Sequence, residues 1–257
     1  MEYEKNTWDF LNQFTQARIA IGRTGTSLPT HFLLHFRLEH AKARDAVYSI
    51  LDKNKIKKDL LPSFTIFELH TQAQDRLAYL KNPNQGRRLS QTSQQLLQEI
   101  ANHLPPRHEV VFVIADGLSA TAVNTHAAPI LNQVIPYLQA KKWEVAPICL
   151  VEQGRVACAD EIAVLLKAKI AVILIGERPG LSAADSMGIY LTFQPSIGTT
   201  DERRNCISNI RPEGLAYPLA QAKLIYLLEI MKNKQLSGVA LKDEEDLPTS
   251  DFIKEIV

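Results

Sequence analysis

A chain of 257 residues with 46% hydrophobic and 22% charged side chains has enough apolar material for a sizeable core, in one or two domains. Its 29 Lys and Arg against 28 Asp and Glu leave a net charge of +1, which supplies no field for holding nucleic acid or an anionic membrane. No apolar run reaches the ~18 residues of a membrane span, the polar Met1–Lys5 start is not a secretory signal, and the cysteines Cys149, Cys158 and Cys206 form neither C-x-x-C nor a disulfide framework, so reducing cytosol is the expected compartment.

The first hundred residues read as helical. Trp8, Leu11 and Phe14 place hydrophobic groups near the start. Gly22-Arg23-Thr24-Gly25-Thr26-Ser27 resembles a phosphate loop but lacks the G-K-[ST] ending, so a turn into a helix is expected. That helix starts at Ser27-Leu28-Pro29-Thr30, and Leu33, Phe36, His40, Ala43, Val47 and Ile50 recur at steps of three and four as one stripe to be buried. Asp52 to Asp59, rich in lysine, reads as a solvated connector. Phe67, His70, Gln74 and Leu77 predict a second helix between Ser63 and Lys81, ended by the turn residues Asn82 to Gly86. Leu89 to His103 predicts a third, stopped by Pro105-Pro106.

After the double proline the period changes. Short apolar runs at Glu109–Ile114, Glu144–Val151, Lys169–Ile175 and Ile189–Phe193 predict strands. Helices are expected at Thr121–Gln139 and Asp160–Lys167, and a long polar loop then leads to a last helix, Tyr217–Lys232. Continuous apolar strands alternating with helices predict an α/β fold, a Rossmann-like parallel sheet with helices on both faces, preceded by a helical N-terminal region. The division is 1–104 helical, 105–240 α/β and 241–257 an acidic tail. Right-handed crossovers bring the loops Asp116–Ser119, Glu152–Val156 and Gly176–Gly180 to one sheet edge, where open α/β sheets bind ligands.

Single residues remain open on this reading. Glu177 between glycines serves either as a turn carboxylate paired with Arg178 or as an acceptor for a ligand's N–H groups. Cys206, alone in a polar stretch, reads first as a small buried hydrophobe, and Val156 as packing. His31 and His35 share a helical face, but Phe32 stands where a zinc protease needs glutamate. Ser119 sits at a nucleophile-elbow position, yet Thr121 replaces the second glycine and no histidine follows His126. No G-x-G-x-x-G follows the first strand. Physical reading ends at an α/β ligand-binding domain with a helical extension.

Longer strings carry more. Thr15–Arg23 with Ser27–Thr30, His40–Val47, Ile114–Ala120, Val151–Ala157, Ile175–Leu181 and Arg204–Arg211 together resemble the small (light) subunits of ethanolamine ammonia-lyases, in family order and across about Trp8 to Val239. The resemblance implies an adenosylcobalamin-dependent radical lyase that turns ethanolamine into acetaldehyde and ammonia. It further implies a large-subunit partner that holds the substrate, with the cofactor between the two chains. The family's small-subunit cobalamin contacts fall on Val156, Glu177 and Cys206, none of them catalytic. No histidine lies in the D-x-H-x-x-G frame that replaces the cofactor's own base, so benzimidazole is expected to stay on cobalt and no residue here to bind metal. The implied location is the cytoplasm, within a bacterial microcompartment. The rival reading is a non-catalytic α/β module that binds a nucleotide or regulates a partner.

Overall fold

The apolar run at 109–114 forms a central strand. The computed structural model describes residues 6–15, 17–105 and 107–241, and in it six strands build one sheet. They are β1 (Ile66–His70), β2 (His108–Ala115), β3 (Ile148–Glu152), β4 (Ala168–Gly176), β5 (Met187–Phe193) and β6 (Arg204–Ile210), in spatial order β1-β3-β2-β4-β5-β6. The helices are α1 (Thr30–Tyr48), α2 (Lys53–Asp59), α3 (Arg76–Lys81), α4 (Gln91–Ala101), α5 (Ala120–Ala140), α6 (Cys158–Leu165) and α7 (Tyr217–Lys234).

The two faces follow from the two-residue period of a strand. Ile170, Val172 and Leu174 of β4 join a core with α5 and α7, while Ala171, Ile173 and Ile175 join a second core with α4 and α6. The α/β class and the helices on both faces are thus as expected. No helix among the described residues is long and apolar enough to cross a membrane.

The all-parallel sheet needs correction. Strands β1, β3, β2 and β4 are parallel, but β5 runs antiparallel to β4, and β6 antiparallel to β5. A parallel neighbour requires a crossover of about a dozen residues or more, usually helical. The 177–186 connection instead closes on itself through paired Gly180 and Ala183 backbone bonds of 3.1 and 3.3 Å.

Four local readings also change. Residues 63–81 are not one helix: Ile66–His70 is an edge strand, and only Arg76–Lys81 is helical, capped by Asp75 accepting from Ala78 N at 2.7 Å. The expected connector Asp52–Asp59 holds the short helix α2, capped by Asp52 accepting from Lys55 N at 2.9 Å and fastened by buried Ile56. The polar stretch before α7 contains β6. And the stripe expected along α1 is not buried by the described residues: Leu33, Phe36, His40 and Ile50 are exposed, Ala43 and Val47 are half-buried, and Ala46 is the one buried residue of the helix. Thr24 and Ser27 bond reciprocally across Gly25, the turn expected before α1.

Beyond α7 the chain lies along β6, where the Asn205 side chain accepts from Gly238 N at 2.7 Å and donates to Leu241 O at 3.1 Å. Leu241 reaches the core, and residues 242–257 of the acidic tail lie outside the described residues.

Candidate functional site

The three strand-end loops do meet, and much of their polar chemistry is spent on holding one another. Asp116, at the end of β2, is buried and accepts from Gln153 N and Gly154 N, both at 3.0 Å. Burial pushes its carboxyl up to about 6, against the pull of those N–H groups and the Arg76 guanidinium. Gly176 has no room for a side chain, since a Cβ would lie 2.0 Å from Ser119 O, and Leu118 N donates to Gly176 O at 2.9 Å. Ser119 is fully buried and donates to Ala184 O at 2.9 Å, so it is a fastening and not an exposed nucleophile.

Glu177 points elsewhere. It continues the odd-numbered row of β4, after Ala171, Ile173 and Ile175, onto the face that α6 covers farther back. Register carries that row across the antiparallel strands: Ile175 faces Gly188, Ile173 faces Tyr190, and Tyr190 faces Cys206. A Cβ on Gly188 would lie 2.8 Å from Glu177 Oε1, so the glutamate lies over the glycine. Val156, in the turn into α6, and Tyr190 both pack half-buried against the same core. The residues Val156, Glu177 and Cys206 therefore belong to one face of the sheet, at the place where helical cover stops. Cys206 and Ser208 are exposed there. A cavity of about 500 Å³ opens beside Ala157, between α6 and the 197–202 loop.

The local partners decide between the readings of these residues. Glu177 is no helix cap and has no ion pair with Arg178 among the described residues. Its Oε2 accepts from the Ser186 hydroxyl and from Asn209 N, the latter at 3.3 Å. Cys206 is not the buried hydrophobe of the first reading: it lies on β6 with its sulfur 3.1 Å from Ser208 Oγ. Its thiol is held above the usual range by desolvation, with the Glu177 charge adding to the effect, so it is a neutral thiol and a poor nucleophile. Tyr190 is raised in the same way, by burial first and by Cys206 next. Cys149 and Cys158 are fully buried, and burial pushes Cys149 up to about 12.

This face offers a carboxylate, a phenol, a neutral thiol and apolar surface, without a base beside a nucleophile. Such a set can accept N–H donors and pack against an apolar ligand. Ser186, Gly188, Tyr190 and Asn209 were not legible as part of it. The alternation of β5 could have placed Gly188 and Tyr190 on one face, but nothing in the sequence marks Ser186 or Asn209.

The groove on α1 is a separate feature. Ile19, Ile21, Leu28, Phe32 and Phe36, with His31 and His35, line a cavity of about 650 Å³. No cluster of three metal-binding side chains occurs among the described residues. His126, fully buried on α5, has Nδ1 2.6 Å from Tyr217 Oη and Nε2 3.4 Å from Asp185 Oδ2, on the other side of the sheet from Glu177.

Comparison with known proteins adds the family. The model of the family described as "Ethanolamine ammonia-lyase light chain" matches residues 5–242. A protein of Pseudomonas fluorescens Pf-5 named ethanolamine ammonia-lyase small subunit is 50% identical over 248 residues, covering 96% of this chain and 90% of its own. A protein of that name from Pseudomonas aeruginosa PAO1 is 50% identical over 248 residues, covering 96% and 91%. Another, from Ralstonia nicotianae GMI1000, is 49% identical over 245 residues, covering 95% and 91%.

Proposed function

The chain belongs to the ethanolamine ammonia-lyase light-chain family and is the small subunit of that two-subunit lyase; on that premise we propose that its bare sheet face covers adenosylcobalamin at the boundary with the large subunit. The observation that carries the reading is that Glu177 and Cys206 lie on one face of the antiparallel β4–β6 edge, partly open to solvent, with Val156 packed against the core of that face. Cobalamin is fringed with amide side chains. A carboxylate with one oxygen free of donors among the described residues, a half-buried valine and an exposed strand fit such a rim. When bound, the cofactor supplies the radical chemistry that converts ethanolamine to acetaldehyde and ammonia. The residues of this chain accept amide N–H groups at Glu177, provide apolar contact at Val156 and exclude water over β5 and β6. Substrate binding and the groups that act on substrate belong to the large subunit.

Three further features fit this reading. The face of α1, with the groove beneath it, is an apolar surface that the described residues leave uncovered, as an interface for a large partner would be. Strands β4 to β6 carry no histidine, and His126 is buried on the other side of the sheet with its Nδ1 bonded to Tyr217, which favours benzimidazole staying on cobalt. Exposed Trp8, Phe10 and Phe14 near the start suit packing into a cytoplasmic bacterial microcompartment.

The test is to purify the chain with and without the large subunit and to measure retained cobalamin and ammonia release. Retention and activity only in the joint preparation are expected. Ammonia release by this chain alone, or a joint preparation that fails to bind cobalamin, overturns the proposal; retention of a nucleotide instead would favour the regulatory module.

A further inference from the structure

The two oxygens of Glu177 are treated differently. Oε2 receives both protein donors, the Ser186 hydroxyl and Asn209 N–H. Oε1 receives none among the described residues and lies over Gly188, where a Cβ would come within 2.8 Å of it and 3.2 Å of Cγ. The donors are themselves built in. Ser186 is buried and joined to Glu177 a second time, its carbonyl accepting Glu177 N at 3.0 Å, so the 177–186 connection is closed across its base. Asn209 has φ +60, a left-handed conformation rare for a residue other than glycine. Its side chain accepts from buried Arg211 Nε at 3.1 Å, and Gly214 packs so closely that a Cβ would lie 2.3 Å from Asn209 O. Farther along the loop, Ala184 O is held by Ser119.

We infer that Ser186 is a positioning residue for the cofactor contact, locking the Glu177 carboxylate through Oε2 so that Oε1 faces the incoming amide N–H, with Gly188 keeping that oxygen's place clear. The inference rests on the proposed role of Glu177. A carboxylate on a surface strand end has a freely turning terminal torsion, and binding through it would have to freeze that freedom. Two internal donors on one oxygen remove the cost before the ligand arrives. They also leave the other oxygen's lone pairs unspent, which is what an amide donor needs. Asn209 supplies its donor from the backbone, so Ser186 is the member of the pair that substitution can remove.

The experiment titrates cyanocobalamin into the complex with the large subunit, followed by absorbance, for the wild type, Glu177→Ala, Ser186→Ala, Ser186→Thr, Gly188→Ala and the double variant Glu177→Ala/Ser186→Ala. Melting temperatures of the same complexes are measured alongside. Glu177→Ala is expected to weaken binding about tenfold or more, and Ser186→Ala about fivefold to tenfold. Ser186→Thr keeps the hydroxyl and restores affinity to within about twofold. Gly188→Ala weakens binding by displacing Oε1. The double variant binds no worse than Glu177→Ala alone, because Ser186 acts through Glu177. Weak binding by Glu177→Ala with normal binding by Ser186→Ala overturns this inference and leaves the role of Glu177 intact. Additive losses in the double variant, or a loss in Ser186→Thr equal to that in Ser186→Ala, overturn it too. Normal binding by Glu177→Ala overturns the role of Glu177, and the inference with it.

Discussion

Removing the Asp160 carboxylate should unfasten the strand that carries Cys206. Asp160 on α6 and Arg204 on β6 form a bidentate pair, with both oxygens 2.7 Å from the guanidinium nitrogens and side-chain exposures of only 2% and 3%. The guanidinium also donates to Thr192 Oγ1 and Thr199 O, both at 2.9 Å, and its Nε reaches exposed Asp201 at 3.4 Å. In Asp160→Ala the two charge-assisted bonds vanish, while the arginine stays buried with two neutral acceptors and one distant carboxylate. Breaking such a pair costs about 3–5 kcal/mol. At about 2–4 °C per kcal/mol for a domain of this size, the melting temperature should fall on the order of 6–20 °C. Calorimetry or urea unfolding of the purified chain reads this directly. The control is Asp160→Leu with Arg204→Met, which removes both charges and should recover most of the loss, because no unpaired ion remains. A single variant within about 1 kcal/mol of the wild type, or a double variant as unstable as the single, would refute the reasoning.

Other perturbations test separate parts. Because burial raises the Asp116 carboxyl from 3.8 to about 6, the folded protein holds a proton that the unfolded chain gives up over that interval. This group's contribution is therefore greatest below pH 3.8 and falls by about 3 kcal/mol as pH rises through 6. Relative to Asp116→Asn, the wild type should lose nearly that amount between pH 3 and 7 in urea titrations, and a pH-independent difference would sink the idea. Phe36→Asp, on the exposed face of α1, should leave the chain's own unfolding within about 0.5 kcal/mol of wild type yet weaken association with the large subunit about thirtyfold, read by equilibrium sedimentation; unchanged association would assign that face to something else. With nitrogen-15 histidine in this subunit, the electron paramagnetic spectrum of reduced cobalt in the complex should keep its nitrogen-14 pattern, and a switch to nitrogen-15 coupling would put a histidine on the metal.

The parallel half of the sheet was readable because its strands are buried on both faces and therefore spell continuous apolar runs. β6 was not readable for the opposite reason: Asn205, Cys206, Ser208 and Asn209 are partly or fully open to solvent, so Arg204–Ile210 looks like loop. β1 was mistaken for helix because Phe67, His70, Gln74 and Leu77 fit a helical step by accident, across a strand and the start of α3. The stripe of α1 was correctly periodic and wrongly assigned to a core. Periodicity records that a face is meant to be covered, and does not say by which chain. Val156, Glu177 and Cys206 came from family resemblance, and spacing alone could not join them, since the antiparallel turn between β4 and β5 decides which residues share their face. Ser186 and Asn209 act through one hydroxyl and one backbone N–H, and such contacts leave no pattern in a sequence.

The segment laid along β6 has a consequence for anyone who shortens this chain. An outer strand is a template: its free N–H and C=O groups will accept another extended backbone, including that of an identical molecule. Here Asn205 grips Gly238 and Leu241, and Ser237 accepts from Phe193 N at 2.9 Å while donating to Arg203 O at 2.6 Å. The chain thus shields its own outer strand β6 with residues 237–241. A cut placed before Ser237 would remove buried Leu241 from the core and leave β6 unguarded, and the damage would show as copies zipping together edge to edge.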